Sequence, residues 1–323
     1  MPKTKDPPIL FMMIGIPCSG KSEYANTIIN TLQGNQKPNV YSSDKIREEL
    51  FGNINDQTHN HDLFLEIHRR IKSDLKNGKS AIYDATNLSK TRRISFLNEL
   101  KNIRCTKCAC VMLTPYQVCV ERNKTRSRKV PDDVMHRMYL GWQPPYYHEG
   151  FDHISLIVSN LDRIRDPEQL FDDLSHINNR DGYSVGEHCY RAFIYASDEF
   201  KSRNELHFAA AFHDIGKEFV KHGDYNCDTY QSVSAYDSIF YYLRMIFRNE
   251  KHSSILISDK HNKSCLCQRL LYISNLIYFH TRPMGSWNMS EYIMKRDEKL
   301  VGLEMFEDIM RLSEADEYAN IRF

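Results

Sequence analysis

A chain of 323 residues, 41% hydrophobic and 26% charged, has the make-up of a globular protein with room for two cores, which excludes a disordered or fibrous chain. The formal net charge of +1 points neither toward nor away from nucleic acid. The longest apolar run, ILFMMIGI, is far short of the roughly 18 residues of a membrane span, and no basic start with a cleavable apolar core precedes it, so a soluble cytoplasmic protein with no membrane partner is expected.

The first element is PILFMMIGI, a buried-strand pattern that ends on Gly15-x-x-x-x-Gly20-Lys21-Ser22. SEYANTIINTLQG follows with helical spacing, stopped at Gly34. NVYSSD reads as a short strand, KIREELFG as a helix, and HDLFLEIHRRIKSDLKNG as a longer helix closed by Gly78. SAIYDAT is the next strand, KTRRISFLNELKN a helix, and CTKCACVMLT another strand. Strands alternating with helices predict a parallel sheet with helices on both faces. After GWQPPYYHEGFDHISLIVSN the pattern changes, and from about Pro167 amphipathic helical stretches dominate. The expected organisation is an α/β domain over residues 1–165 and an all-α domain over 175–323, with no internal repeat or low-complexity segment.

Nine cysteines, an odd number set in apolar or helical stretches, fit free thiols in a reducing compartment. Cys105, Cys108 and Cys110 in CTKCAC have no second Cys or His pair nearby, so a structural zinc is not the favoured reading. Charge is unevenly spread. From Ala85 to Lys129 there are 11 Lys and Arg against Glu99 and Glu121, a local excess of +9 that the rest of the chain offsets with −8. Such a segment is an electrostatic footprint for an anionic partner.

The glycine loop supplies the first chemistry. Gly15 and Gly20 let backbone N–H groups encircle phosphates, Ser19 lies in the same turn, Lys21 reaches the transferable phosphate, and the Ser22 hydroxyl helps hold Mg2+. Asp44 falls at the end of the second strand with Arg47 one helical turn on, placed to accept a hydroxyl proton and to hold a neighbouring phosphate; alone, Asp44 reads equally well as a helix N-cap. IYDATNLSKTRR ends another strand with Asp84 and Asn87, followed by Arg92 and Arg93. ERNKTRSRKVPDDV puts Arg122 and Arg126 four apart on one helical face, as in a lid that neutralises charge on a transferring phosphate.

Together GIPCSGKS, SSDKIREELFG, YDATNLSKTRR and CVERNKTRSRKVPDDVMHRMY resemble the kinase domain of phage-type 5'-hydroxyl polynucleotide kinases, over nearly the whole first half. The resemblance implies a P-loop kinase that binds ATP and Mg2+ through Lys21 and Ser22. It makes Asp44 the general base for a 5'-hydroxyl and Arg47 the contact for the substrate's first phosphate. Asp84, with Asn87, would shape the acceptor site, and Arg122 and Arg126 would be lid residues around the donor phosphates. The Asp-x-Asp-x-Thr phosphatase pattern that often accompanies such kinases is absent from the chain.

The second half carries FAAAFHDIGKEF, in which adjacent His213 and Asp214 could offer one nitrogen and one oxygen to a single metal. His188 lies on the apolar stripe of Val185, Ala192 and Ala196, where an unpaired imidazole would be a buried cost. His280 and Asp316 come at the ends of amphipathic helices. The order His188, His213-Asp214, His280, Asp316, centred on HDIGK, resembles the HD superfamily of metal-dependent phosphohydrolases over about residues 180–320. That resemblance implies a water-activating metal on His188, His213, Asp214 and Asp316, with Mn2+, Ni2+, Co2+, Zn2+ and Fe2+ as the candidate ions. Many members of that superfamily have a further histidine where YQSVSAYDSIF has Tyr230 or Gln231. His280 is therefore left as a phosphate contact, a general acid or a ligand of a second metal, and Lys217 and Arg282 as phosphate holders.

The joined expectation is an end-healing enzyme that phosphorylates 5'-hydroxyl termini of RNA or DNA and removes a 2'- or 3'-terminal phosphate, with an RNA ligase acting downstream. Two rivals are a kinase for a small molecule or nucleotide, and a polynucleotide kinase whose HD half only binds. The basic excess weighs against the first and the retained ligand residues against the second.

Overall fold

The computed structural model describes residues 6–33, 37–178, 182–219, 230–248, 254–258 and 266–321; Gly34, the expected stop of the first helix, lies outside them. In chain order the elements are β1 (Ile9–Ile14), α1 (Lys21–Thr31), β2 (Asn39–Ser42), α2 (Ser43–Phe51), α3 (Asn60–Lys76), β3 (Ala81–Asp84), α4 (Lys90–Glu99) and β4 (Thr106–Leu113). Then follow α5 (Tyr116–Thr125), α6 (Asp132–Leu140), β5 (His153–Ser159), α7 (Pro167–Ser175), α8 (Val185–Glu199) and α9 (Asn204–Phe212). The last are α10 (Tyr230–Ile246), β6 (Ser254–Ser258), α11 (Leu266–Phe279), α12 (Glu291–Val301) and α13 (Leu303–Ala319).

The six strands form one sheet in the order β2-β3-β1-β4-β5-β6. The pairs among β1 to β5 are all parallel, with Leu10 opposite Ala81, Phe11 opposite Cys108, and Cys108 opposite His153. Both faces are covered, as the near-continuous apolar strands require. Met13, Ile82, Cys110 and Met112 point to one face and pack on Ala25 and Ile28 of α1. Their neighbours Leu10, Met12, Ile14, Ala81, Tyr83, Ala109 and Val111 point to the other, into a core shared with α3 and α4. The period of two along each strand thus divides the apolar residues between two layers.

Among the described residues the second half is mainly helical, apart from one strand. SILIS forms β6, which pairs antiparallel with β5, Leu256 opposite Ile157. This strand was not anticipated; its five residues are one short apolar run in a polar stretch, too brief for periodicity to register. A segment beyond residue 175 therefore completes the sheet of the first half. Side chains tie the halves further, with Lys90 Nζ donating to Asn275 Oδ1 at 2.9 Å and Tyr139 Oη to Asp237 Oδ2 at 2.6 Å. The larger apolar core runs without a break from β1 to α13.

Two turns rest on left-handed backbone that favours glycine. Gly52 (φ 66°) ends α2 and Gly78 (φ 74°) follows α3, the second at the predicted stop.

Candidate functional site

The first centre grows from the end of β1. Gly15 N donates to Thr86 O at 3.0 Å, bringing the loop against the neighbouring strand end. A Cβ on Gly15 would lie 2.7 Å from Ser19 Oγ and 2.9 Å from Met112 O, so only glycine fits this crossing. Gly20 has φ 93° and starts α1, while Cys18 takes φ 63° within the same turn. Lys21 folds back over the loop, its Nζ donating to Gly15 O (3.0 Å) and Ile16 O (2.7 Å). Burial pulls the Lys21 ammonium down to about 8, and the charge of Asp84 only partly offsets that.

Ser22 Oγ donates to Asp84 Oδ2 at 2.9 Å, joining the first turn of α1 to the end of β3. Asp84 therefore sits with the Ser22 hydroxyl, where a Mg2+ would find two hard oxygens; that donor chemistry fits the ion. Asn87 takes φ 47° and gives its amide to Met13 O at 2.8 Å, so it braces the strand ends. Arg92 is exposed, whereas Arg93 is buried in a bidentate pair with Glu149 (2.7 and 2.8 Å).

Facing arginines complete this centre. Arg122 donates to Cys18 O (3.2 Å) and Asn160 Oδ1 (2.9 Å), and Arg126 Nη1 lies 3.5 Å from Cys18 Sγ, so both predicted lid residues reach the loop. Asp44, in the first turn of α2 and 43% exposed, has Arg47 Nη1 at 3.3 Å and Arg128 Nη1 at 2.6 Å. Arg47 is buried and anchored to Asn60 Oδ1 at 3.0 Å. Arg128 was missed by sequence reading; its only signal was membership of the run RSRK.

The second centre gathers His188 from α8, His213 and Asp214 from the turn after α9, His280 from the end of α11 and Asp316 from α13, all buried. His188 Nε2 lies 3.1 Å from His213 Nε2, 2.9 Å from Asp316 Oδ1 and 3.4 Å from Asp214 Oδ2. His213 Nε2 is 3.5 Å from Asp316 Oδ1, and His280 Nε2 is 3.8 Å from Asp214 Oδ1. The ligand atoms of His188, His213 and Asp214 lie within 4.8 Å of one another, as do those of His213, His280 and Asp316.

Ring orientation is fixed from behind. His213 Nδ1 bonds Ala210 O at 2.8 Å and His280 Nδ1 bonds Ile277 O at 2.6 Å, which leaves each Nε2 aimed inward with its lone pair. Two ring nitrogens converging on two carboxylates is a donor set that fits a divalent transition ion. Lys217 contacts Asp214 Oδ2, while Asp214 Oδ1 accepts no hydrogen bond among the described residues. Burial would raise the Asp214 carboxyl, but Lys217, His213 and His188 outweigh it and hold the group ionised well below the usual range. Burial, with His213 beside it, lowers His280 to about 4, so this imidazole is neutral at pH 7. Tyr230 Oη is 3.5 Å from His280 Nε2, and Gln231 Nε2 donates instead to Thr281 Oγ1 at 2.8 Å. The position that departs from the HD pattern thus borders the cluster without adding a metal ligand of the usual kind. Arg282 lies near the Phe279 ring, 6.0 Å from its centroid, and bonds Ser286 Oγ at 3.2 Å.

Residues 10–145 match the family model described as "AAA domain". The chain is 22% identical over 180 residues to the L-seryl-tRNA(Sec) kinase of Methanococcus maripaludis, covering 55% of this chain and 69% of that one. It is 32% identical over 167 residues to Protein KTI12 of Saccharomyces cerevisiae, covering 49% and 53% respectively. The chain thus spans about half to two thirds of the length of these relatives. Among solved structures, one of a Pnkp1/Rnl/Hen1 complex aligns with TM-score 0.33 at 22% identity, covering 41% of this chain and 44% of that one. A gluconokinase from Sinorhizobium meliloti aligns with TM-score 0.32 at 14% identity, covering 44% and 78%. The first half is a P-loop domain of the kinase type, built to bind ATP with Mg2+. Among the described residues, no helix is long and apolar enough to cross a membrane.

Proposed function

We propose that this chain is a bifunctional end-healing enzyme: a kinase for 5'-hydroxyl termini of RNA or DNA joined to an HD-type phosphohydrolase that removes a 2'- or 3'-terminal phosphate. The observation that carries the reading is the convergence of His188, His213, Asp214 and Asp316 on one buried point, in a chain whose other half holds a phosphate loop with facing Asp44 and arginines. One chain would then add phosphate at one place and remove it at another.

In the kinase half, backbone N–H groups of the loop and Lys21 would cradle the donor phosphates, and Ser22 with Asp84 would hold Mg2+. Asp44 accepts the proton of the attacking hydroxyl. Arg47, at Asp44 Oδ1, and Arg128, at Asp44 Oδ2, hold the acceptor's phosphate, while Arg122 and Arg126 neutralise charge on the group in flight. In the other half, His188, His213, Asp214 and Asp316 would hold a divalent ion, which when bound supplies an acidified water. Lys217 screens the carboxylate of Asp214 and binds phosphate oxygens, and neutral His280 orients the scissile group. RNA cut by many nucleases bears a 5'-hydroxyl and a phosphorylated other end, so both chemistries suit one substrate, and an RNA ligase is the partner expected to act next.

The test is mass spectrometry on two short RNAs in one tube with ATP, Mg2+ and Mn2+, one with hydroxyls at both ends, the other with a 5'-phosphate and a 2'- or 3'-phosphate. Gain of phosphate by the first and loss by the second is expected. If neither strand changes mass, the polynucleotide reading is wrong; if only the first changes under each metal tried, the HD half is not a hydrolase for such ends.

A further inference from the structure

Helix α10 touches both centres. Near its start, a Cβ on Gly216 of the His213-to-Lys217 turn would come within 2.3 Å of Tyr230 O and 2.8 Å of Ser234 N, and Gly216 N donates to Ser234 Oγ at 2.9 Å. The turn that carries His213 and Asp214 is thus seated directly on the helix backbone. Two residues beyond Ser234, the fully buried Tyr236 reaches into the first half. Its hydroxyl donates to Thr114 O at 2.7 Å and accepts from Thr114 N at 3.1 Å. Thr114 is the residue immediately after β4, and its Oγ1 donates to Ser19 O at 3.1 Å, inside the phosphate loop, while standing 2.7 Å from Ser159 Oγ.

Buried backbone groups need partners, and here both main-chain groups of Thr114 find theirs in one side chain of the other half. That fixes the end of β4 and aims the Thr114 hydroxyl at the loop. We propose that Tyr236 is a positioning residue for nucleotide binding, holding the phosphate loop in its cradling shape through Thr114 and Ser19. The inference rests on reading the loop as the nucleotide site, and it makes the kinase half dependent on a helix that belongs to the HD half. Tyr236 touches no reacting atom; it acts only through Thr114.

The experiment uses the full chain and titrates MgATP by calorimetry into wild type, Tyr236→Phe, Thr114→Val, Thr114→Ser and the Tyr236→Phe/Thr114→Val pair. Breaking this short chain of buried hydrogen bonds, at Tyr236 or at the Thr114 hydroxyl, predicts MgATP binding weakened about three- to tenfold in Tyr236→Phe and in Thr114→Val. Thr114→Ser, which keeps the hydroxyl, retains wild-type affinity. The pair is no worse than either single variant, since both break one chain of bonds. Turnover at saturating ATP stays within about twofold, so the change falls on KM and not on kcat. Nucleotide protection of Cys18 from iodoacetamide, read by mass spectrometry, shifts to higher MgATP in parallel. Unchanged affinity in Tyr236→Phe overturns the inference and leaves the kinase reading intact, as do additive losses in the pair. A loss that matches the fall in folded fraction overturns it as mere destabilisation, and wild type that binds no MgATP overturns inference and reading together.

Discussion

Arg128 Nη1 lies 2.6 Å from Asp44 Oδ2, so the residue proposed as general base is held by a guanidinium 84 residues further along the chain. Arg128 is also tied to Ile54 O at 3.2 Å and Asn55 Oδ1 at 3.1 Å, which fixes it beside the carboxylate. Asp44→Asn keeps the shape and loses the proton acceptor. It should lower the rate of 5' phosphorylation by about 100-fold or more with MgATP affinity unchanged. Arg128→Ala should raise KM for the oligonucleotide about tenfold, as loss of a charge-assisted contact does. Steady-state kinetics with a 5'-hydroxyl oligonucleotide checks both, and a near-wild-type Asp44→Asn would remove Asp44 from the chemistry.

Asp214 lies in the second centre within reach of His188, His213, His280 and Lys217. Asp214→Ala should abolish phosphate release and bound transition metal, measured by elemental analysis after desalting, while 5' phosphorylation survives. Retained stoichiometric metal in the variant would show that the ion is held elsewhere.

Much of this was legible because its signals are local. The phosphate loop is one turn between a strand and a helix, and its glycines, Lys21 and Ser22 declare themselves by spacing. The His and Asp cluster was legible only through the order of its members, since each imidazole alone also reads as core. Arg128 was not separable from Arg126, because which arginine of RSRK reaches Asp44 depends on how the chain after α5 packs against α2 and against Ile54 and Asn55, and that is tertiary. Tyr236 was illegible for another reason: an aromatic on the buried stripe of a helix looks like packing until its hydroxyl is seen on Thr114. Arg93 shows the reverse case, a cation in the basic run that the fold spends internally on Glu149.

That buried pair gives a stability prediction. Arg93 and Glu149 are almost wholly withdrawn from water and hold α4 to the turn at Tyr147–Glu149. Glu149→Gln should destabilise the chain by about 3–5 kcal/mol, because a buried guanidinium loses its counter-charge. Replacing both with apolar residues of similar volume should recover much of the loss. Urea unfolding followed by circular dichroism distinguishes this from a surface pair, whose removal would cost about 0–1 kcal/mol.

Asp237 gives a pH dependence. Burial raises its carboxyl from 3.8 to about 7, and the Tyr139 hydroxyl and Arg165 offset this only in part, with Glu218 adding to the rise. The folded chain therefore keeps a proton between about 4 and 7 that the unfolded chain has released. In that window the native state binds more protons, so this group's contribution falls as pH rises and levels off above about 7. Asp237→Asn can still accept from Tyr139 and should remove that slope. Thermal unfolding from pH 5 to pH 8 should show the wild type losing stability relative to the variant; parallel curves would mean that Asp237 is ionised throughout.

The basic run decides between a polymer and a small acceptor. Of its cations, Arg93 is buried against Glu149 and Lys90 against Asn275, Arg122 bonds Cys18 and Asn160, and Arg128 bonds Asp44; Arg92, Lys101, Arg104, Lys124 and Lys129 are exposed or edge the surface. A strand of several nucleotides would displace counterions at each phosphate it lays against them, whereas a nucleoside monophosphate can displace few. Affinity for a 5'-hydroxyl oligonucleotide of about ten residues should therefore fall steeply between 50 and 200 mM salt, by about tenfold or more. Affinity for a nucleoside monophosphate should fall much less. Fluorescence anisotropy across that salt range measures the two slopes side by side, and equal slopes would place the acceptor among small molecules.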